Sequence, residues 1–250
     1  MVRFTVELRL PRYVLLGGSA LMQCEYNVRL DQLHRVEWLR NGKKLFQFVK
    51  GRTPPFRNFT TPGAELDFGE SNERQILLRN MDFEASGIYS CEVSTQTPIY
   101  TKPSNDHELT VIQKQRDPPQ VLMSRAVYRV GDTLEANCTS SPARPLAHIT
   151  WLVNGRPVEE SQLRIFPHRD RERLTAQLSL EIVELHVGPE RQLELTCLST
   201  IPAFLGPDQT EYADRRTSSV IVDIEVTQSC GRVDSCLALL LAASLFILLR

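Results

Sequence analysis

Cys24 and Cys91, with Trp38 between them, constrain this chain more than any other feature. The second cysteine closes the run Asp82-Phe83-Glu84-Ala85-Ser86-Gly87-Ile88-Tyr89-Ser90-Cys91. Each residue has a physical task. Two cysteines facing each other from two sheets staple them, and an indole packs against the staple. A tyrosine two residues before the second cysteine can turn its hydroxyl back to the backbone of the preceding corner. Gly87 permits a close approach just before the strand begins. Together Cys24, Trp38, Tyr89 and Cys91 are the signature of an immunoglobulin-type sandwich.

The pattern recurs. Ile149-Thr150-Trp151-Leu152-Val153-Asn154-Gly155-Arg156 repeats Val36-Glu37-Trp38-Leu39-Arg40-Asn41-Gly42-Lys43, and Trp151 again lies between two cysteines, Cys138 and Cys197. An internal repeat of this kind implies two tandem sandwiches. The fold expected is all-β, a variable-type domain over 4–112 and a constant-like domain over 120–227. Gln113-Lys114-Gln115-Arg116-Asp117-Pro118-Pro119 reads as a short stiff linker, 113–119. The long interval from Trp38 to Cys91 leaves room for extra strands in the first domain. The interval from Trp151 to Cys197 is shorter, and Leu195 takes the place of the corner tyrosine. Pro11 belongs at an edge or at a switch between sheets, because proline cannot donate to a ladder. Asn41-Gly42 reads as a hairpin turn with positive φ.

The disulfide pairs expected are Cys24 with Cys91 and Cys138 with Cys197, which implies an oxidising compartment. The chain begins Met1-Val2-Arg3-Phe4-Thr5-Val6, without the apolar stretch of a secretory signal. The expectation is therefore that a first segment is missing from this sequence. At the other end, 228–250 holds the uncharged run Cys236–Leu249, about 21 Å long as a helix and short of the ~30 Å hydrocarbon core. Small residues at Ser229-Cys230-Gly231 before it suit a glycosylphosphatidylinositol attachment signal, with a short transmembrane anchor and an interrupted segment as alternatives. All three attach the chain to a membrane through its C-terminal tail, on the extracellular face. The pairing of Cys230 and Cys236 stays open.

Net charge is −1, so nothing argues for nucleic acid as a partner. The sequence lacks Cys-x-x-Cys, His-Glu-x-x-His, Gly-x-Ser-x-Gly and a phosphate-binding glycine loop, and the five histidines are scattered. No metal site, cofactor or enzymatic chemistry is expected. Two glycosylation sequons are present, Asn58-Phe59-Thr60 and Asn137-Cys138-Thr139. What remains is binding. Alternation directs Val36 and Trp38 inward, so Arg35, Glu37 and Leu39 face outward, together with Ser90 and Glu92 on the strand of Cys91. Leu45, Phe46, Phe48 and Val49 place apolar groups on both faces of their strand. Either Phe46 or Phe48 is then an exposed interface anchor, or Pro54-Pro55-Phe56 covers it. The expected partner-binding set is Glu37, Leu39, Phe46, Phe48, Ser90 and Glu92, with alanine at Phe46 or Phe48 weakening binding while the fold survives.

Four blocks carry a narrower likeness: Leu10-Pro11-Arg12-Tyr13-Val14-Leu15; Ser19-Ala20-Leu21-Met22-Gln23-Cys24-Glu25-Tyr26; Ser71-Asn72-Glu73-Arg74-Gln75-Ile76-Leu77-Leu78; and Ser86-Gly87-Ile88-Tyr89-Ser90-Cys91-Glu92-Val93-Ser94. They resemble the beaten path family of insect neuronal immunoglobulin proteins, most strongly over the first domain. The resemblance implies a secreted or membrane-attached recognition protein acting in axon guidance and synaptic partner choice. It also implies heterophilic binding, through the first domain, to immunoglobulin-superfamily surface proteins of the sidestep family. A released soluble ligand or decoy and a homophilic adhesion molecule are the alternatives.

Overall fold

In the computed structural model, residues 4–203 and 212–225 are described. The first half of the chain forms β1 (Val6–Arg9), β2 (Tyr13–Leu15), β3 (Ala20–Tyr26), β4 (Leu33–Arg40), β5 (Lys43–Val49), β6 (Phe56–Asn58), β7 (Glu65–Asp67), β8 (Gln75–Arg79), β9 (Gly87–Thr95), β10 (Thr101–Pro103) and β11 (His107–Ile112). These make two sheets, β1-β3-β8-β7 at the back and β2-β11-β9-β4-β5-β6 at the front, with β10 pairing β9. Pro11 marks the switch: β1 runs antiparallel to β3 in the back sheet, and β2 runs parallel to β11 in the front sheet.

The second half forms β12 (Gln120–Met123), β13 (Val127–Arg129), β14 (Thr133–Thr139), β15 (His148–Val153), β16 (Arg156–Pro157), β17 (Leu163–Pro167), β18 (Leu174–Glu181), β19 (Gln192–Ile201) and β20 (Asp214–Glu225). Its sheets are β12-β14-β18-β17 and β13-β20-β19-β15-β16. Among the described residues the second sandwich has no counterpart of the outer strand β6, in keeping with the shorter interval between its tryptophan and cysteine. Each half has its own buried cluster, one around Trp38, Tyr89 and the Cys24–Cys91 bridge, the other around Trp151 and Cys138–Cys197.

Strict alternation builds these cores. β3 reads buried-exposed throughout, and β14 nearly so, with Cys24 and Cys138 on the inward side. Trp38 lies across from Cys91, and Trp151 across from Cys197. The Tyr89 hydroxyl donates to the Ala85 carbonyl at 2.6 Å, which closes the corner before β9. The two Asn-Gly turns do matching work. Asn41 and Asn154 both have φ 48°. Their Oδ1 atoms accept the amides of Ile88 and Glu194, each at 2.9 Å, so each turn is clamped to the strand beside it.

The linker is more integrated than its polarity suggests. Gln113 and Arg144 exchange both backbone hydrogen bonds, and the Arg144 guanidinium lies 4.0 Å from the Phe83 ring centroid. Gln115 is buried. It accepts from the Ser199 hydroxyl at 2.6 Å, and both its backbone amide and its Nε2 donate to Asp214 Oδ2. A buried polar residue needs such partners to offset its lost hydration. The 228–250 tail, including Cys230 and Cys236, lies outside the described residues.

Candidate interaction surface

The outward face of the first sandwich's front sheet brings together four of the six side chains expected to bind a partner, and two, Phe46 and Phe48, lie on its core side. Glu37, Ser90 and Glu92 point outward as alternation requires, and Ser90 and Glu92 are half-buried. Leu39 pairs with Ser90 across the β4–β9 ladder and is also half-buried. Phe48 pairs with the buried Val36 and so lies on the core side of the sheet, half-buried against Phe56 with ring centroids 5.4 Å apart, which corrects the expectation that it faces a partner.

Phe46 does not belong to the surface. It is fully buried, tilted against Trp38 at 5.5 Å and stacked on Phe56 at 5.6 Å. The cause is a bulge. Trp38 pairs with Phe46 but Leu39 pairs with Lys44, so Leu45 is the extra residue. A bulge interrupts the two-residue period, and Leu45 and Phe46 are both drawn into the core. The segment ending in Phe56 then closes over the aromatic cluster. The expectation that alanine at Phe46 would weaken binding in an intact fold is therefore corrected: Phe46 supports the fold.

Glu37 departs from expectation in another way. It lies on the outward side of β4, yet only 3% of it is exposed. Lys44 Nζ and Gln47 Nε2 approach its Oε1 at 2.7 and 2.6 Å, and Arg35 Nε lies 3.3 Å from Oε2. Arg52 completes the cover, donating to Gln47 Oε1 at 2.9 Å and to the carbonyls of Pro54 and Pro55. Burial alone would raise the carboxyl's pKa. The bonds from Lys44 and Gln47 and the charges of Arg35 and Lys44 outweigh it, and the group is held below its ordinary value. Glu37 is thus the fixed centre of the face, and its own oxygens are largely occupied within the chain.

A group whose pKa is lower in the folded state stabilises the fold fully above its unfolded value and loses that contribution as pH falls through the folded value. The first sandwich is therefore expected to lose melting temperature below about pH 4.5, the ordinary value for Glu37. Part of that slope should vanish in Glu37→Gln. Thermal melts across acid pH check this, and a Glu37→Gln profile parallel to the parent's would contradict it.

The sequence did not point to the end of the sheet where the β3–β4 and β9–β10 loops meet. The Gln96 amide donates to the Gln32 carbonyl at 2.8 Å and ties the two loops together. Leu30, Ile99 and Tyr100 stand exposed there, at 64%, 69% and 46%. Large apolar groups at loop tips were the available signal, because buried loops are rare and exposed apolar clusters mark interaction sites.

Asn58 and Asn137 are both exposed, Asn58 on β6 and Asn137 across from Leu122 on β14. No group of three or more His, Cys, Asp or Glu side chains able to hold a metal occurs among the described residues. Among the same residues, no helix is long and apolar enough to cross a membrane.

Comparison with known proteins agrees with this architecture. Residues 117–207 match the pattern of the CD80-like C2-set immunoglobulin domain. Cell adhesion molecule 3 of Xenopus laevis is 22% identical over 165 residues, 66% of this chain and 39% of that protein. Cell adhesion molecule 1 of Mus musculus is 23% identical over 201 residues, 79% of this chain and 40% of that protein. The chain thus spans about two fifths of the length of these relatives. A chain in the crystal structure of mouse coronavirus receptor-binding domain complexed with its murine receptor shares the fold. Its TM-score is 0.51 at 18% identity, covering 89% of this chain and 100% of that one. The similarities reach cell adhesion molecules of the immunoglobulin superfamily, a non-enzymatic class, and no narrower group. The chain carries disulfide-stapled immunoglobulin-like sandwiches.

Proposed function

We propose that the chain is a cell-surface recognition protein that docks the front sheet of its first sandwich onto an immunoglobulin-superfamily protein of another cell. The observation that carries this reading is the composition of that face. A pre-organised charged centre at Glu37 is flanked by Leu39, Ser90 and Glu92, and the sheet ends in exposed Leu30, Ile99 and Tyr100. Exposed apolar side chains beside fixed polar groups can anchor an interface, and pre-organisation lowers the ordering cost of binding.

In this reading the binding is heterophilic, and the blocks that resemble the beaten path family direct the search to sidestep-like partners and to axon guidance. The tail beyond 227 supplies the membrane attachment, and Asn58 and Asn137 carry glycans. The domains divide at 113–119.

The test is a binding screen. The chain through residue 227, fused to a secretion signal and multimerised for avidity, is presented to a panel of immunoglobulin-superfamily surface proteins, sidestep-like ones included. Capture of one of them is expected. In the captured pair, Leu39→Arg and Ile99→Asp should each weaken affinity about tenfold or more, with the melting temperature shifted by only a few degrees. Unchanged affinity in both would remove the interface from this face.

A further inference from the structure

We infer that the outer half of the front sheet, over β5 and β6, binds a sulfated glycosaminoglycan chain. The inference goes beyond the protein partner proposed above and does not rest on it. Its basis is a segregation of charge that the net value of −1 conceals. Ladder register and alternation place Arg35 on β4, Lys44 on β5 and Arg57 on β6 on the outward side, with Glu37 and Gln47. Arg52, between β5 and β6, reaches back over the same face to Gln47 Oε1 at 2.9 Å. Four cations thus share one face.

One buried carboxylate answers them. Glu37 is shared between Lys44 and Arg35, at 2.7 and 3.3 Å. Arg52 donates only to neutral oxygens, those of Gln47, Pro54 and Pro55. Arg57 is exposed, its guanidinium 5.0 Å from the Phe59 ring centroid. Neither Arg52 nor Arg57 forms an ion pair among the described residues. The rows of Lys44 and Arg35 are four β4 residues apart, about 13 Å, and β4 and β6 are about 10 Å apart. Charges that close are only partly screened from one another, so the four act as one positive field.

A ligand for this face is a polyanion that spreads its charge over a flat sheet. Three of the four cations are arginines, whose planar guanidinium offers paired donors to an oxyanion. A sulfated polysaccharide repeats such groups sugar after sugar, and a chain lying along β5 and β6 meets the cations in turn. The acids of the face favour a linear ligand. Glu92 on β9 and Glu108 on β11 lie beyond β4 from the patch, so a narrow chain clears them, whereas a broad acidic protein surface would cover both halves. A lipid surface would draw on apolar groups beside the cations, and Leu30, Ile99 and Tyr100 stand instead at the loop end of the sheet. Alternation along β6 sends Asn58 to the opposite side from Arg57, so a glycan there leaves the cations uncovered.

The test uses immobilised heparin and the secreted chain through residue 227, whose two cores are complete within residues 4–225. Half-saturation is expected at roughly micromolar protein in about 0.1 M salt, and raising salt to about 0.5 M should weaken binding by about tenfold or more. Arg57→Glu should weaken it by about tenfold and Arg57→Gln by about threefold, with melting temperatures within a few degrees of the parent's. Arg164→Glu makes the same charge change at an exposed position on β17 of the second sandwich and should change affinity by less than about twofold. Heparin stripped of its sulfates should not compete, and polyglutamate should compete poorly. No binding at about 100 μM protein, or equal losses for Arg57→Glu and Arg164→Glu, would overturn the inference. Polyglutamate competing as well as heparin would give the face to an acidic protein, and capture of anionic phospholipid vesicles in place of heparin would give it to a membrane; either result overturns it too. A chain that binds heparin in this pattern yet captures nothing in the screen keeps this site and loses the protein partner. A chain that captures a partner yet ignores heparin loses this site alone.

Discussion

Replacing Phe46 with alanine is expected to cost the first sandwich about 3–5 kcal/mol, enough to consume much of a domain stability of roughly 5–15 kcal/mol. The ring is fully buried between Trp38 and Phe56, with Phe68 edge-on at 6.0 Å. Its removal leaves a cavity bounded by two sheets that the Cys24–Cys91 bridge holds at a fixed separation, so little collapse can refill it. Phe48 lies two residues on and contacts the same Phe56, but it is only half-buried. Alanine there should cost about 1–2 kcal/mol. Calorimetry of the two variants separates these expectations. The transition of the first sandwich should drop by more than about 15 °C for Phe46→Ala and by a few degrees for Phe48→Ala. Equal, small shifts would mean that the aromatic cluster does not support the core.

Removing the Cys24–Cys91 bridge, by Cys24→Ala with Cys91→Ala, should destabilise the first sandwich by about 4 kcal/mol. The bridge closes a separation of 67 residues, and by loop-closure entropy its loss gives the unfolded chain that freedom back. The Cys138–Cys197 bridge closes 59. The cost grows only with the logarithm of loop length, so the second sandwich should lose nearly the same amount when its own bridge is removed. Because each bridge lies in a separate core, each double substitution is expected to move chiefly the transition of its own sandwich. Denaturant unfolding followed by Trp38 and Trp151 fluorescence, one tryptophan per core, reads the two separately. A single merged transition that shifts equally for either bridge would show that the sandwiches unfold as one unit.

The parts of this protein that are legible in its sequence are those set by strict periods and fixed chemistry. Cys24, Trp38, Tyr89 and Cys91 each need one geometry, and the repeat around Trp151 needs it again. Asn41-Gly42 and Asn154-Gly155 announce positive φ, because few other pairs tolerate it. Phe46 was not legible because alternation fails where a bulge inserts a residue, and nothing in Lys44-Leu45-Phe46 marks that insertion. Glu37 was read on the correct side but not at the correct depth. The period tells which way a side chain points, while its cover comes from Lys44, Gln47 and Arg52 on other segments. β10 is short and ends in proline, so its sequence carries no strand signal, and it forms because β9 offers it a ladder. Gln115 reads as solvated linker, and only the approach of Ser199 and Asp214 from a distant part of the chain buries it.

The central claim is that the front sheet of the first sandwich recognises another immunoglobulin-superfamily protein. The most direct measurement compares capture by the multimerised chain and by its Leu39→Arg variant on the same panel of surface proteins, with matched melting temperatures. The account predicts at least one partner held by the parent and lost by the variant. A partner held equally by both would place recognition elsewhere on the molecule, and capture of none by either would contradict the heterophilic function itself.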